Sequence, residues 1–243
     1  MKVVFHPKFH EVYTSDPAAE AGRMESILKE ISDFEFVEAE KAGEEDILLV
    51  HTLEHYAYVK SYLKIYEVAM FAVGGTIRAS EIAFEEPSFA LVRPPGHHAS
   101  PDHSWGFCYF NNVAIAIKRL FKAKKIERAV IIDFDLHYGD GTANIFRGDK
   151  NVTYFHMNDA DIEGIERILE EEEYEIIAVS AGFDRHKDDW GGLLETEDYE
   201  EIGKIIAKFA KKRCNGRRFG ALEGGYNHEV LGRNVRAFLD GFS

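Results

Sequence analysis

Short, almost wholly apolar runs alternate along this chain with stretches of helical periodicity, and no other feature limits its fold more. Runs at Lys2–Phe5, Ile47–Val50, Phe89–Val92, Ala129–Asp133, Val152–His156, Ile176–Ser180 and Phe219–Leu222 have the length and hydrophobicity of strands buried on both faces. Between them, Ile202, Ile205, Ile206 and Phe209 form one helical stripe. Ile162, Ile165 and Leu169 form a second, and Val113, Ala116, Ile117 and Leu120 a third. Such alternation predicts an α/β fold, a mostly parallel sheet with helices on both faces. No internal repeat, low-complexity tract or linker interrupts it, so residues 1–243 are read as a single domain.

Open parallel sheets bind their ligands beyond the carboxyl ends of the strands. The unusual residues of this sequence fall there. Arg93-Pro94-Pro95-Gly96-His97-His98 follows one strand and Asp133-Phe134-Asp135-Leu136-His137 ends another. Ser180-Ala181-Gly182-Phe183-Asp184 ends a third and Glu223-Gly224-Gly225-Tyr226 a fourth. Four polar clusters on one rim predict a site.

Asp133, Asp135 and His137 alternate, so on an extended segment they point the same way. Two carboxylates and an imidazole on one face invite a cation, with Asp184 as a further carboxylate from a neighbouring strand. This donor set suits a borderline divalent ion, Zn²⁺ or Fe²⁺. The competing reading is a hydrogen-bonded strand end whose aspartate caps the next helix. Two histidines after Pro-Pro-Gly need a turn to enter one pocket, and those residues supply its chemistry. Such a pair can act as general base and acid when carboxylates fix the tautomers, and Asp133 and Asp140 are the local candidates. Tyr226 could donate to a developing oxyanion or simply be packed, and Phe107 could line a slot or belong to the core.

The formal net charge of −14 argues against duplex nucleic acid as a direct partner. It is compatible with a cationic substrate, although solubility is the simpler account. Cys108 and Cys214 cannot make a disulfide framework, and no stretch reads as a secretory signal or a membrane span. The expectation is a soluble, cytoplasmic protein.

Taken together these residues resemble the histone deacetylase superfamily, which includes acetylpolyamine amidohydrolases and acetoin-utilisation proteins. The resemblance rests on Arg93–Ala99 (RPPGHHA), Gly106–Asn112 (GFCYFNN), Asp133–Thr142 (DFDLHYGDGT), Ser180–Asp184 (SAGFD) and Leu222–Asn227 (LEGGYN), in the family's order. Val50-His51-Thr52 and Gly74-Gly75-Thr76 also fit. It implies an arginase/deacetylase-like three-layer fold and deacylation of an N-acylated amine, such as acetyl-lysine or an acetylpolyamine, by metal-bound water. Zn²⁺ would be held by Asp135, His137 and Asp184. His97 and His98 would match the base/acid pair, oriented by Asp133 and Asp140 respectively, and Tyr226 the oxyanion-stabilising phenol. Phe107 would match one wall of the acyl-lysine tunnel, the Gly106 carbonyl a substrate acceptor, and Arg23 an arginine behind the acetate pocket.

The sequence also departs from the family. Met157-Asn158-Asp159-Ala160 leads almost directly into a helix where the family carries a long Gly-rich loop supplying the tunnel's second aromatic wall. A more open pocket is therefore expected, or one closed by a neighbouring subunit of a homo-oligomer. His156 stands where the family often has a serine serving a structural K⁺ site, which argues against K⁺ here. Asp16–Ala21 replaces a Pro-rich turn before Arg23. Two rival functions remain at this stage: a dinuclear Mn²⁺ hydrolase of arginase type, and a catalytically silent acyl-lysine-binding or assembly protein.

Overall fold

A computed structural model describes all residues, 1–243. Seven strands form one sheet: β1 (Lys2–Phe5), β2 (Glu35–Glu38), β3 (Ser88–Ala90), β4 (Ala129–Asp133), β5 (Val152–His156), β6 (Ile177–Ala181) and β7 (Arg218–Leu222). Their spatial order is β2-β1-β3-β7-β6-β4-β5, and every pairing is parallel. The helices are α1 (Arg23–Glu30), α2 (Glu44–Ile47), α3 (Leu53–Lys60), α4 (Leu63–Ile82), α5 (Asn112–Lys122), α6 (Asp140–Ile145), α7 (Ile162–Glu171), α8 (Thr196–Arg213) and α9 (His228–Phe242). Helices α4 and α5 pack together, as do α1, α8 and α9, giving the three-layer α/β arrangement. One cluster of 66 buried apolar residues runs through it. No helix is long and apolar enough to cross a membrane.

The strand reading needs one correction. Ile47–Val50 is no strand: Ile47 ends α2 and the next three residues turn. The Asp46 carboxylate accepts from the Gly43 backbone N–H at 3.0 Å, and Glu44 and Glu45 join it in the first turn, so helix-start chemistry overrides a four-residue apolar run. The second strand is instead Glu35-Phe36-Val37-Glu38, an edge strand too exposed to read as apolar.

Strand order explains why four clusters far apart in the sequence meet. Strands β3, β7, β6 and β4 are successive neighbours at the centre of the sheet. Asp133 is in register with Ser180, and Ser180 with Ala221, so the polar tails leave the sheet at one level. Adjacent strands lie about 4.8 Å apart, which puts side chains from all four within reach of one small site.

Candidate active site

The site is built around β4 and its tail. Asp133 Oδ2 lies 3.1 Å from His97 Nδ1 and accepts from the Tyr154 hydroxyl at 2.8 Å. His98 Nδ1 lies 2.7 Å from Asp140 Oδ1, at the start of α6. The two imidazole rings are 4.1 Å apart, so the turn does bring both into one place. That turn is braced from behind: Glu223 Oε2 accepts from the backbone N–H of Gly96 (2.6 Å) and His97 (3.2 Å), and Asn112 Nδ2 donates to the Pro94 carbonyl at 3.1 Å.

Asp135, His137 and Asp184 offer ligand atoms that all lie within 4.8 Å of one another. His137 Nδ1 is 3.3 Å from Asp135 Oδ1 and 3.1 Å from Asp184 Oδ2. Asp184 Oδ2 is buried and has no hydrogen-bond donor in line. The hydrogen bond to Asp135, then the adjoining Asp184 carboxylate, push His137 up to about 10, whereas burial, then the charge of Asp135, pushes the Asp184 carboxyl up to about 6. Both shifts say that this spot wants a cation. The backbone is cut to fit: a Cβ on Gly224 would stand 2.6 Å from Asp135 Oδ2 and 2.8 Å from Asp184 Oδ2, and the Gly224 N–H donates to Asp135 at 2.8 Å. One imidazole and two carboxylates, one with an orphaned oxygen, fit a single divalent ion of the Zn²⁺ or Fe²⁺ kind.

The histidine pair is electrostatically split. Burial would lower His97, but the charges of Asp135 and Asp133 outweigh it and hold it well above its ordinary value. Burial and then the charge on His97 push His98 down to about 4, against the pull of Asp140. Neighbouring groups driven apart in this way are typical of acid/base sites.

His97, His98 and His137 face a cavity of about 330 Å³ whose other walls include Phe107, Trp190 and Tyr226. Gly106 and Phe107 both hold left-handed backbone, at φ of 60° and 66°. A Cβ at Gly106 would come within 2.4 Å of His98 Cδ2, so only glycine fits there. Phe107 carries real strain, tolerated at a pocket wall. Trp190 is a further aromatic residue of the cavity wall. It comes from the loop after β6, stacks on Tyr226 with ring centres 4.1 Å apart, and meets Phe107 edge-on at 6.5 Å. Phe107 and the loop after β6 thus both present aromatic rings to the cavity.

Arg23 does not line the cavity. It is fully buried, donates to the carbonyls of Gly225 (2.8 Å) and Glu223 (2.6 Å), and lies 5.7 Å from the Tyr226 ring centre. It holds the Tyr226 loop from behind. Several residues near the site were not singled out from sequence: Tyr154, Trp105, Arg185 and Trp190. Trp105 stacks on His98 at 4.0 Å, and its Nε1 donates to Asp140 Oδ2 at 2.9 Å. A tryptophan beside Gly106-Phe107 was the one signal available for it; the others look like ordinary strand or loop residues.

A parallel α/β sheet carrying an Asp–His–Asp cluster and two His–Asp pairs at one rim places this chain among hydrolases. Comparison with known proteins narrows the class: the histone deacetylase domain matches residues 61–163 and 161–242, and the chain belongs to that family. A probable deacetylase of Methanothermobacter thermautotrophicus is 31% identical over 303 aligned positions, covering 98% of this chain and 90% of the relative. A probable deacetylase of Archaeoglobus fulgidus is 32% identical, covering 92% and 77%. The crystal structure of the HDA15 HD domain superposes with a TM-score of 0.87 at 22% identity, over all of this chain and 90% of that one, and shows the shared fold. The two matched segments of the family domain overlap at residues 161–163, where the β5–α7 connection enters α7.

Proposed function

We propose that the chain is a zinc-dependent amidohydrolase that removes an acetyl or related acyl group from an N-acylated amine, either an exposed acetyl-lysine side chain or a small acetylated polyamine. The observation that carries this reading is the convergence of both His–Asp pairs, Tyr226 and the Asp135–His137–Asp184 triad on one cavity. Asp135, His137 and Asp184 would hold the ion, which when bound polarises the acyl carbonyl and makes hydroxide available near neutral pH.

The chain's own residues account for the rest. With its Nδ1 tied to Asp140, His98 turns its free Nε2 to the cavity and takes the proton from the attacking water. As the C–N bond breaks, a proton passes to the amine nitrogen, so that amine and carboxylic acid leave as separate molecules. His97, tied to Asp133, sits 3.7 Å from Asp135 and supports positive charge beside it. Burial, then the charges of Asp135 and Asp184, hold the Tyr226 phenol well above its usual range, so it stays protonated and donates to the oxyanion of the tetrahedral carbon. The Gly106 carbonyl would accept from the scissile amide N–H, while Phe107 and Trp190 flank an alkyl chain. Unpaired Cys108 and Cys214 support a reducing, cytoplasmic setting as part of this proposal.

The test is amine release from acetyl-lysine peptides and acetylpolyamines after chelation and restoration of Zn²⁺ or Fe²⁺. Turnover should return with the metal, and Tyr226→Phe and His98→Ala should each lower kcat by about 10² to 10³-fold. One metal per chain with no turnover of any acylated amine would sink the proposal and favour a silent binding protein. Two metals per chain would favour the dinuclear alternative.

A further inference from the structure

Next to the triad lies a second buried charge cluster, centred on Arg185. Arg185 follows Asp184 directly, and only 2% of it is exposed. Its Nε donates to the carbonyls of Phe134 (3.0 Å) and Asp135 (3.1 Å). Its Nη2 donates to the carbonyls of Asp135 (2.9 Å) and Met157 and lies 3.2 Å from His156 Nε2. Its Nη1 donates to the Asp159 carbonyl at 2.5 Å. All three guanidinium nitrogens are partnered, and almost every partner is a backbone carbonyl.

Carbonyl dipoles that converge on one buried point repel one another unless a cation sits among them, and such cages elsewhere take up alkali ions. Here the cage holds a guanidinium, which is permanently charged, weakly hydrated and rich in donors. It is drawn from the tail of β4, the end of β5 and the connection after it. The buried carboxylates Asp133, Asp135 and Asp184 supply the balancing negative charge. A free K⁺ would have to share this space with Arg185 and His156, so the cage does not fit the structural ion that the family resemblance implies.

We propose that Arg185 is a tethered cation that replaces a structural monovalent ion and positions the metal ligands. One guanidinium grips the Asp135 carbonyl, adjoins Asp184 in the chain and pins Met157 and Asp159. It thereby links two of the three ligands to the short β5–α7 connection. That connection needs no long loop because its carbonyls are held from beneath.

The experiment compares thermal unfolding and zinc retention against a chelator for the full zinc-loaded chain in KCl, NaCl and tetramethylammonium chloride at equal ionic strength. The Tm of the wild-type protein should agree within about a degree across the three salts. Arg185→Ala should melt lower and lose zinc about tenfold faster or more in tetramethylammonium, with both defects partly reversed by K⁺ in particular. Arg185→Lys, which keeps one charge and loses the fork, should fall between them and gain less from K⁺. A K⁺-specific rise in the wild-type Tm overturns the proposal, whether or not Arg185→Ala folds. So does an Arg185→Ala protein that retains zinc like the wild type, or one indifferent to which salt is present. Neither readout needs the deacetylase reaction, so failure here is separable from failure of the proposed activity.

Discussion

His51 lies outside the cavity yet should govern how the fold meets acid. Its Nδ1 is 2.9 Å from the Ser100 carbonyl, and its Nε2 accepts from the Asn111 backbone N–H at 2.9 Å. A carbonyl only accepts, so Nδ1 carries the hydrogen; an amide N–H only donates, so Nε2 is bare. A second proton would land on Nε2 and set donor against donor inside the fold. Burial, then the His55 ring 5.0 Å away, pushes His51 down to about 3. In the unfolded chain it titrates near 6.5. The folded value is depressed, so unfolded chains bind a proton that folded ones refuse. The stability that neutral His51 contributes is full above about 6.5 and drains away as pH falls toward about 3. Between about pH 8 and about pH 5 the loss comes to about 2 kcal/mol, at about 1.4 kcal/mol per unit below the unfolded pKa. Urea denaturation of the zinc-loaded wild type and of His51→Gln at both pH values measures it. The variant should start out less stable but lose about 2 kcal/mol less between them. Parallel losses would refute the reasoning, because they would mean that folded His51 takes up its proton as freely as an unfolded one.

Three further predictions concern the site. Trp190→Ala removes a cavity wall and should raise KM for acylated amines about tenfold, with a smaller fall in kcat; an unchanged KM would show that substrate does not reach the indole. Trp105→Phe keeps a ring over His98 but loses the N–H to Asp140, and kcat should fall several-fold, the effect of about 1 kcal/mol, with zinc content unchanged. Asp189 accepts from the backbone N–H of both Tyr226 and Asn227 at 2.8 Å, so Asp189→Ala should lower kcat at least tenfold at constant zinc content, by letting the phenol drift. A variant with wild-type kcat would mean that Trp190 and Arg23 hold Tyr226 unaided.

How much of this was legible in the sequence depended on how local the signal was. Strands β4, β6 and β7 are buried on both faces, so each reads as an apolar run ending in polar residues. Their tails could be recognised as a rim before the strand order was known. Strand β2 gave no such signal, because an edge strand with Glu35 and Glu38 in solvent is written like a loop. Ile47–Val50 misled for the opposite reason: four apolar residues say nothing about helix or strand, and the acidic start of α2 decided it. Trp190 was illegible because it acts through a tertiary partner that no spacing reveals, whereas Trp105 at least stood beside Gly106-Phe107. Arg185 was hidden more deeply. Charged residues after a strand are expected at the surface, and only the fold shows that four carbonyls from separate segments turn toward this one.

The segment from Asp184 to Trp190 gathers these threads. Asp184 contributes a carboxylate to the triad, Arg185 grips the backbone beneath it, Asp189 ties down the Tyr226 loop and Trp190 walls the cavity. Leu193 and Leu194 both donate to the Arg185 carbonyl at 2.9 Å, and the Gly191 N–H donates to the Asp184 carbonyl at 2.7 Å, so the segment folds back on itself. A compact turn of this kind can hold a ligand and a pocket wall in fixed relation without help from the β5–α7 connection. Wall and brace both sit on the β6–α8 side, and the brief connection at residues 157–161 presents two carbonyls to Arg185. Ligand, wall and brace therefore share one segment, and Arg185 is the contact that ties it to the β5–α7 connection.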